Sequence, residues 1–350
     1  MSADDGDAVV AAARAGDESA FAALVERHRR ELRVHCYRML GSFDEAEDLV
    51  QETFLRAWKH LDGFEGRSTL RAWLYRIATN ACLDVLDDRA RRVLPHHVAA
   101  PSHPSAGPPP RAGADTAWLQ PFPDRLWEPV AASEDEPDAA VVTRETIELA
   151  FLAAIQHLPP RQRAVLILRD VLGWPAKQTA GLLDGSVASV NSALQRARVT
   201  MRQHLPERRL EWSPAEPTEE ERVVVRRYMQ AVERADLAAF AELLAEDVRT
   251  TMPPYPMWFQ GRDAVMAALA ASWDPGAPGY VGRLRTLPTL ANRQPAVATY
   301  ARRLDDAEHR PFAISVLRIA DGHIVDMTAF HDPAMFPAFA LPPVLPPAPR

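Results

Sequence analysis

The 350-residue chain is predicted to be multidomain, with two all-α helical domains followed by an α+β domain. Three observations carry that expectation. Apolar residues recur at helical spacing through two separate blocks, about 8–92 and 141–205. After residue 282 the pattern changes to strand-like runs, and proline-rich segments part the blocks. At roughly 150 residues per domain, the length also asks for two or three cores.

In the first block Val50, Phe54, Ala57, Trp58 and Leu61 form a core-facing stripe, with Asp44, Asp48 and Glu52 on another side of the same helix. A second helix from about Thr69 to Arg89 places Leu70, Trp73, Leu74, Ile77, Ala81 and Val85 inward. Residues 93–140 hold ten prolines, three of them consecutive at 108–110, which no helix or inner strand accommodates. This is a linker, yet Trp118, Leu119, Phe122, Leu126 and Trp127 interrupt it, and a merely solvated spacer needs no tryptophans.

The second block continues helical, with Ile147, Phe151, Ala154 and Leu158 in one stripe and Ala164, Val165, Leu168, Val171 and Leu172 in the next, ended by Gly173. Residues 174–202 have helix-turn-helix proportions: Pro175 opens a short helix, Asp184-Gly185 turns, and Ser186 caps a longer helix. Val190, Leu194, Ala197 and Met201 then face inward, which leaves Ser189, Asn191, Ser192, Gln195, Arg196, Arg198 and Arg202 outside. Short polar side chains that reach base edges, followed by arginines for phosphates, suit a recognition helix.

In the third block, 218–337, Thr218 and Glu221 form a capping box for a helix to about Arg234, Asp236 caps another to Ala245, and 261–271 reads as a third. Strand-like runs follow at 283–290, 296–303, 312–319 and 323–330, the last two joined across Asp321-Gly322. The end, 338–350, is a proline-rich tail.

Composition excludes several classes. With 47% hydrophobic and 25% charged residues the chain is globular rather than disordered or fibrous. The acidic start and the lack of an 18-residue apolar run argue against a signal peptide or membrane helix, so a cytoplasmic location is expected. Cys36 and Cys82 read as reduced, half-buried helix residues, and His96, His97 and His103 lack a partner cysteine, so neither a metal nor a cofactor is expected. The net charge of −7 hides local opposites: 42–62 sums to −4, 63–92 to +2, 93–140 to −5 and 141–210 to +5. The acidic helix repels DNA and suits a protein with a basic surface; the basic block suits DNA.

These residues resemble a known family. DEAEDLVQETFLRAWKHLDGF with GRSTLRAWLYRIATNACLDVLDDRARR resembles region 2, and LPPRQRAVLILRDVLGWPAKQTAGLLDGSVASVNSALQRARVTMRQHL resembles region 4, of the extracytoplasmic-function sigma factors of the sigma-70 superfamily. The resemblance implies that Asp44, Glu45, Asp48, Gln51 and Glu52 dock on the clamp helices of the largest subunit of core RNA polymerase. It implies that 63–92 melts and reads the minus-10 element of promoter DNA, with Arg76, Asn80, Arg91 and Arg92 near the non-template strand. In region 4 it implies Ser189, Asn191, Ser192 and Gln195 in the major groove of the minus-35 element and Lys177, Arg196, Arg198 and Arg202 on phosphates. Many relatives carry an acidic residue in place of Gln178 and a basic one in place of Ala193, which bears on base preference. The linker is implied to thread polymerase channels that otherwise hold nucleic acid.

The third block resembles the SnoaL-like domain, a cone of helices and a curved sheet around a pocket, through ADLAAFAELLAEDV, MPPYPMWFQGRDAV and the closing hairpin. Met252, Tyr255, Trp258, Phe259 and His331 are the candidate lining for a small apolar ligand. FHDPAMF stands where related fused factors have a motif that contacts region 2, which implies regulation in cis. An anti-sigma protein is a further implied partner, and no membrane is. Two other readings differ in class. One is a SnoaL-like cyclase or isomerase using Asp263, His323, Asp326, His331 or Asp332 as acid or base; the other is a ligand-responsive helix-turn-helix regulator, which leaves 8–92 without a role.

Overall fold

The structure, a computed structural model, describes residues 3–64, 68–87, 91–103, 116–127, 147–205, 217–304 and 306–346. The acidic linker residues Asp115, Glu128, Glu134, Asp135, Glu136 and Asp138 lie outside them. The chain forms two compact units, one of Met1–Arg91 with Leu126–Leu210, the other of Arg92–Arg125 with Glu211–Arg350.

The first unit is helical: α1 (Ala3–Arg14), α2 (Glu18–Leu40), α3 (Phe43–Lys59), α4 (Leu70–Asp87), α5 (Leu149–Ile155), α6 (Pro160–Leu166), α7 (Ala176–Leu182) and α8 (Val187–His204). The Asp17 carboxylate accepts from the backbone N–H groups of Ser19 and Ala20 to start α2, which stops at Gly41 with φ +70°. Ser42 caps α3 in turn, accepting from Glu45 N at 3.3 Å. Leu32, Cys36, Tyr37 and Met39 of α2 are buried, as are Val50, Phe54 and Ala57 of α3 and Leu74, Tyr75, Ala78 and Cys82 of α4.

Two expectations are corrected here. Cys36 and Cys82 are fully buried, not half-buried, and burial first, then a hydrogen bond to Cys36, raises the Cys82 thiol pKa well above normal. On α4, Tyr75 takes the core position and Trp73 is only half-buried, its ring 5.2 Å from Phe64. Tyr75 goes inward because its hydroxyl reaches Glu31 at 3.3 Å, where Arg71 Nε also donates at 2.7 Å. Burial raises the Glu31 carboxyl pKa, but His28 and Arg71 outweigh it and hold the group below the usual range.

Within this unit the two helical blocks pack on each other. The Tyr75 and Trp174 ring centroids stand 5.0 Å apart, and the Arg71 guanidinium sits 5.3 Å from the first and 5.9 Å from the second. Arg163, 3% exposed, donates to the Met39 carbonyl and, at 2.8 Å, to Gln156 Oε1. Burial lowers its pKa to about 10.

The second unit carries α9 (Glu219–Arg234), α10 (Leu237–Ala241), α11 (Arg262–Trp273) and a six-stranded sheet in the order β2-β1-β6-β5-β4-β3. Its strands are β1 (Leu244–Thr251), β2 (Trp258–Gln260), β3 (Arg283–Ala291), β4 (Gln294–Arg302), β5 (Arg310–Ala320) and β6 (His323–Phe330). The Thr218–Glu221 capping box opens α9, and Asp321 and Gly322, at φ +51° and +72°, turn β5 into β6. Sequence reading carried the Asp236-capped helix to Ala245, but α10 ends at Ala241 and β1 begins at Leu244. Ladder bonds to β2 and β6, with Leu244 and Val248 in the core, override the helical propensity of the Ala-rich stretch. Tyr228, Phe240, Trp273, Val297 and Met327 fill the space between helices and sheet. Beyond the sheet, Met335, Phe336 and Phe339 are buried, and Tyr300 Oη donates to Pro342 O at 2.8 Å.

Candidate polymerase and DNA interface

On α3, the positions left outward by the buried Val50, Phe54 and Ala57 are Asp44, Asp48, Gln51, Leu55 and Trp58, spaced four, three, four and three residues apart. They make one continuous stripe, acidic toward its start and apolar at its end. Glu45 and Glu52 flank it half-buried, Glu52 accepting from Arg56 Nε at 2.8 Å. Leu55 is 55% and Trp58 37% exposed, so Trp58 is not the core residue its spacing suggested. Its ring lies 4.7 Å from Phe21 of α2 and borders a groove of about 630 Å³ that Phe21, Val25, Gln51, Phe54 and Leu55 also line. The repeat 44, 48, 51, 55, 58 is the sequence signal that reveals Leu55 and Trp58 as surface; helical spacing alone fits either side of the helix.

The helix-turn-helix is built as its caps dictate. Ser186 Oγ accepts from Ser189 N at 3.1 Å, Ser189 Oγ donates to Ser186 O at 2.7 Å, and Asp184 supplies a left-handed turn at φ +49°. Val190, Leu194, Ala197 and Met201 are buried; so is Ala193, which lies on the inward side of α8. Ser189, Asn191, Ser192, Gln195, Arg196, Arg198 and Arg202 of α8 are exposed, as is Lys177 of α7. Asn191, Gln195, Arg198 and Arg202 form one stripe about 16 Å long at 1.5 Å per residue. Two arginines are already bound: Arg196 to Ser192 Oγ at 2.6 Å, and Arg198 bidentate to Asp170 at 2.8 and 2.7 Å. Ser189 spends its proton on the cap, which leaves it an acceptor toward a ligand.

The minus-10 candidates are dispersed. Arg76 and Asn80 share a face of α4, Asn80 half-buried, and Arg76 pairs with Asp184 of the helix-turn-helix turn at 2.8 Å. Arg91 NH1 lies 2.8 Å from His157 Nδ1, and the His157 ring stacks on His204 with centroids 3.6 Å apart. Burial first, then Arg91 and His204, lowers the His157 pKa to about 4. Arg92 belongs to the other unit, where its guanidinium donates to Trp118 O at 2.7 Å.

The candidate pocket residues of the second unit divide. Tyr255 packs edge-on to His331 at 5.8 Å, and Phe312 meets the same ring edge-on at 4.9 Å. Met252 joins them through the 252–257 turn, where His331 N donates to Pro253 O at 2.8 Å. Trp258 and Phe259 are successive on β2 and point to opposite faces, Phe259 into the core and Trp258 toward residues 96–102. Asp326 accepts from Arg249 Nε at 2.9 Å with Arg318 3.9 Å away, and Asp332 caps the turn at Ala334 N, so two of the acid–base candidates hold structural partners. Among the described residues no cluster of three or more His, Cys, Asp or Glu side chains forms a metal site, and no helix is long and apolar enough to cross a membrane.

Three family models match successive parts of the chain. Residues 24–92 match Sigma-70 region 2, 148–201 match Sigma-70 region 4, and 225–327 match the SnoaL-like domain. Over 329 residues the chain is 42% identical to the ECF RNA polymerase sigma factor SigG of Mycobacterium tuberculosis, covering 94% of this chain and 85% of that one. It is 30% identical over 190 residues to SigW of Bacillus subtilis, 54% of this chain and 91% of that one. The crystal structure of the Mycobacterium tuberculosis extracytoplasmic function sigma factor SigJ has the same fold, with a TM-score of 0.57 at 22% identity over 92% of this chain and 99% of that chain. With a sigma-type helical pair and a helix-plus-sheet domain in one chain, this protein belongs to the ECF RNA polymerase sigma factors.

Proposed function

We propose that the chain recruits core RNA polymerase through α3 and selects promoters through α4 and α8, without covalent chemistry of its own. One observation carries this: a single helical unit exposes two stripes of unlike character, acidic and apolar on α3, polar and arginine-rich on α8. Asp44, Glu45, Asp48, Gln51 and Glu52 attract the basic side chains of a clamp helix, and the groove beside Leu55 and Trp58 accepts an apolar one. Asn191, Ser192 and Gln195 read base edges at the minus-35 element, while Lys177, Arg196 and Arg202 bind phosphates. Arg76 and Arg91 turn to the minus-10 element once their partners Asp184 and His157 are left behind. The two elements lie about 25 base pairs apart by name, or roughly 85 Å at 3.4 Å per pair. Such a span requires the packed pair of blocks to separate, so promoter binding exchanges the Arg76–Asp184 ion pair and the Arg91–His157 hydrogen bond for phosphate contacts. The protein works in the cytoplasm, and a small apolar ligand would seat against Met252, Tyr255 and His331.

Transcription from a promoter library with purified core polymerase tests this reading. Adding the chain is expected to start transcripts at templates the core ignores. Silence on every template, or turnover of a small molecule by the full chain, would sink it.

A further inference from the structure

One end of the sheet in the second unit gathers positive charge. Residues 283–310 hold six arginines against Asp305, Asp306 and Glu308. Five of the six, Arg283, Arg285, Arg302, Arg303 and Arg310, lie where β3 starts, β4 stops and β5 starts. Arg283 stands opposite Arg302 across the ladder and Arg285 opposite Tyr300, so three guanidinium groups share one face. Their backbone positions are about 5 Å apart across the strands and about 7 Å apart along β3. Gly282 fixes this approach: at φ +101°, a Cβ there would lie 2.5 Å from the Arg302 carbonyl oxygen. Like charges directly opposite one another destabilise a sheet, and among the described residues no carboxylate pairs with these guanidiniums. Asp306 accepts from the Arg303 backbone N–H at 3.2 Å, and Glu233, on the other face, accepts from Thr286 N and Oγ1, both at 2.8 Å. The tail lies against the arginine face, with Arg285 donating to Pro346 O at 2.7 Å and Tyr300 Oη to Pro342 O, yet residues 333–350 hold no Asp or Glu. Burial first, then Arg302 and Arg285, lowers the pKa of the neighbouring His309, so the ring adds no counter-charge either.

We propose that this arginine end of the C-terminal domain is a DNA contact of its own, binding the phosphates of duplex DNA without reading bases. The choice of DNA as the anion rests on the promoter-factor reading above, which already brings the chain to it. Duplex DNA carries one negative charge per about 1.7 Å of its axis, so three guanidiniums within about 7 Å meet neighbouring phosphates as they stand. Each arginine fork matches two phosphate oxygens, and Arg285 has only to exchange the Pro346 carbonyl for one. The hydroxyls beside the arginines, those of Thr286, Thr299 and Tyr300, belong to buried residues, so the face positions DNA but does not select a sequence. An acidic protein would need an apolar centre to dock on, and Leu304 is the one large apolar side chain exposed at this end among the described residues.

The test is the affinity of the full chain for a duplex without promoter elements, read by fluorescence anisotropy over a range of salt. Arg283→Gln with Arg285→Gln and Arg302→Gln is expected to lower the slope of log affinity against log salt by about 2 to 3, and the affinity at low salt by at least ~10-fold. Lysines at the same three positions are expected to keep the slope. Arg222→Gln with Arg226→Gln takes charge from α9, where both arginines hold Glu219, and is expected to leave the slope alone. Hydrogen exchange on the parent, which needs no variant to fold, is expected to slow over 283–303 when the duplex is added. An unchanged slope in the triple glutamine variant, or no slowing over 283–303, would overturn the proposal. So would an equal fall in the α9 variant, since net charge alone would then explain the loss. Poly-glutamate bound more tightly than the duplex, and lost in the triple variant, would assign the face to an acidic protein instead. Transcription decides the promoter-factor reading separately: a chain that starts transcripts with its slope unchanged keeps that role and loses this contact.

Discussion

Helices α3 and α8 share one unit and one construction, a Ser cap followed by a buried stripe, yet they present opposite surfaces. Toward solvent α3 shows Asp44, Asp48 and Gln51 and then the apolar Leu55 and Trp58, whereas α8 shows Asn191 and Gln195 and then Arg198 and Arg202. Exposed apolar side chains beside carboxylates suit a protein surface that is dry at its centre and charged at its rim. Short amides followed by arginines suit a groove with phosphates on either side. The helix framework is neutral between partners; the residues on the outer stripe decide, and the whole-chain charge says nothing about either.

Charge and bulk on α3 should break the comparison hardest. Leu55→Glu is expected to lower affinity for core polymerase by about 100-fold, about 2.7 kcal/mol, while free-DNA binding and melting temperature stay near those of the parent, as titration calorimetry and thermal melts would show. On α8, Asn191→Ala should cost about 1–3 kcal/mol at one base pair of the minus-35 element. Arg202→Ala should instead weaken binding to all sequences and lower the salt slope by about 1, both read by holoenzyme–DNA binding across a mutated promoter set.

Both stripes depend on the core beneath them, where His35 is fully buried, its ring beside Tyr75 and its Nε2 2.9 Å from Thr79 Oγ1. Burial first, then Arg38, lowers its pKa to about 3, with Glu31 opposing. The unfolded chain binds a proton below about pH 6.5, and the folded one does not until far lower. Stability is therefore full above pH 6.5 and falls as the pH drops toward 3, by up to about 1.4 kcal/mol per pH unit from this group. Denaturant melts at pH 7.0 and 5.5 would show it, with His35→Gln flattening the difference. The smallest effect is expected from Asp170→Ala, which frees the exposed Arg198 and should tighten non-specific DNA binding by less than about 1 kcal/mol.

Sequence pattern exposed most of the helix-turn-helix because its signals are local: Gly173, Asp184-Gly185 and the Ser186 cap set its boundaries, and a 3.6-residue period sorted its faces. The closing hairpin was legible for the same reason, at Asp321-Gly322. Strands β1 and β2 were not, since their residues form strands only by pairing with β6 and with each other. Trp58 was misplaced because helical spacing alone fits a core stripe and a surface groove equally well. For the linker, the tryptophans and Phe122 signalled that something covers them, but Asn292, whose Oδ1 accepts from Phe122 N, lies 170 residues away, beyond any local signal.

Footprinting of promoter DNA bound to core polymerase and this chain tests the central claim most directly. Two protected patches about 25 base pairs apart are predicted, the upstream one weakened by Asn191→Ala and both lost with Leu55→Glu. A single patch, or the same two patches from the chain without polymerase, would contradict the account.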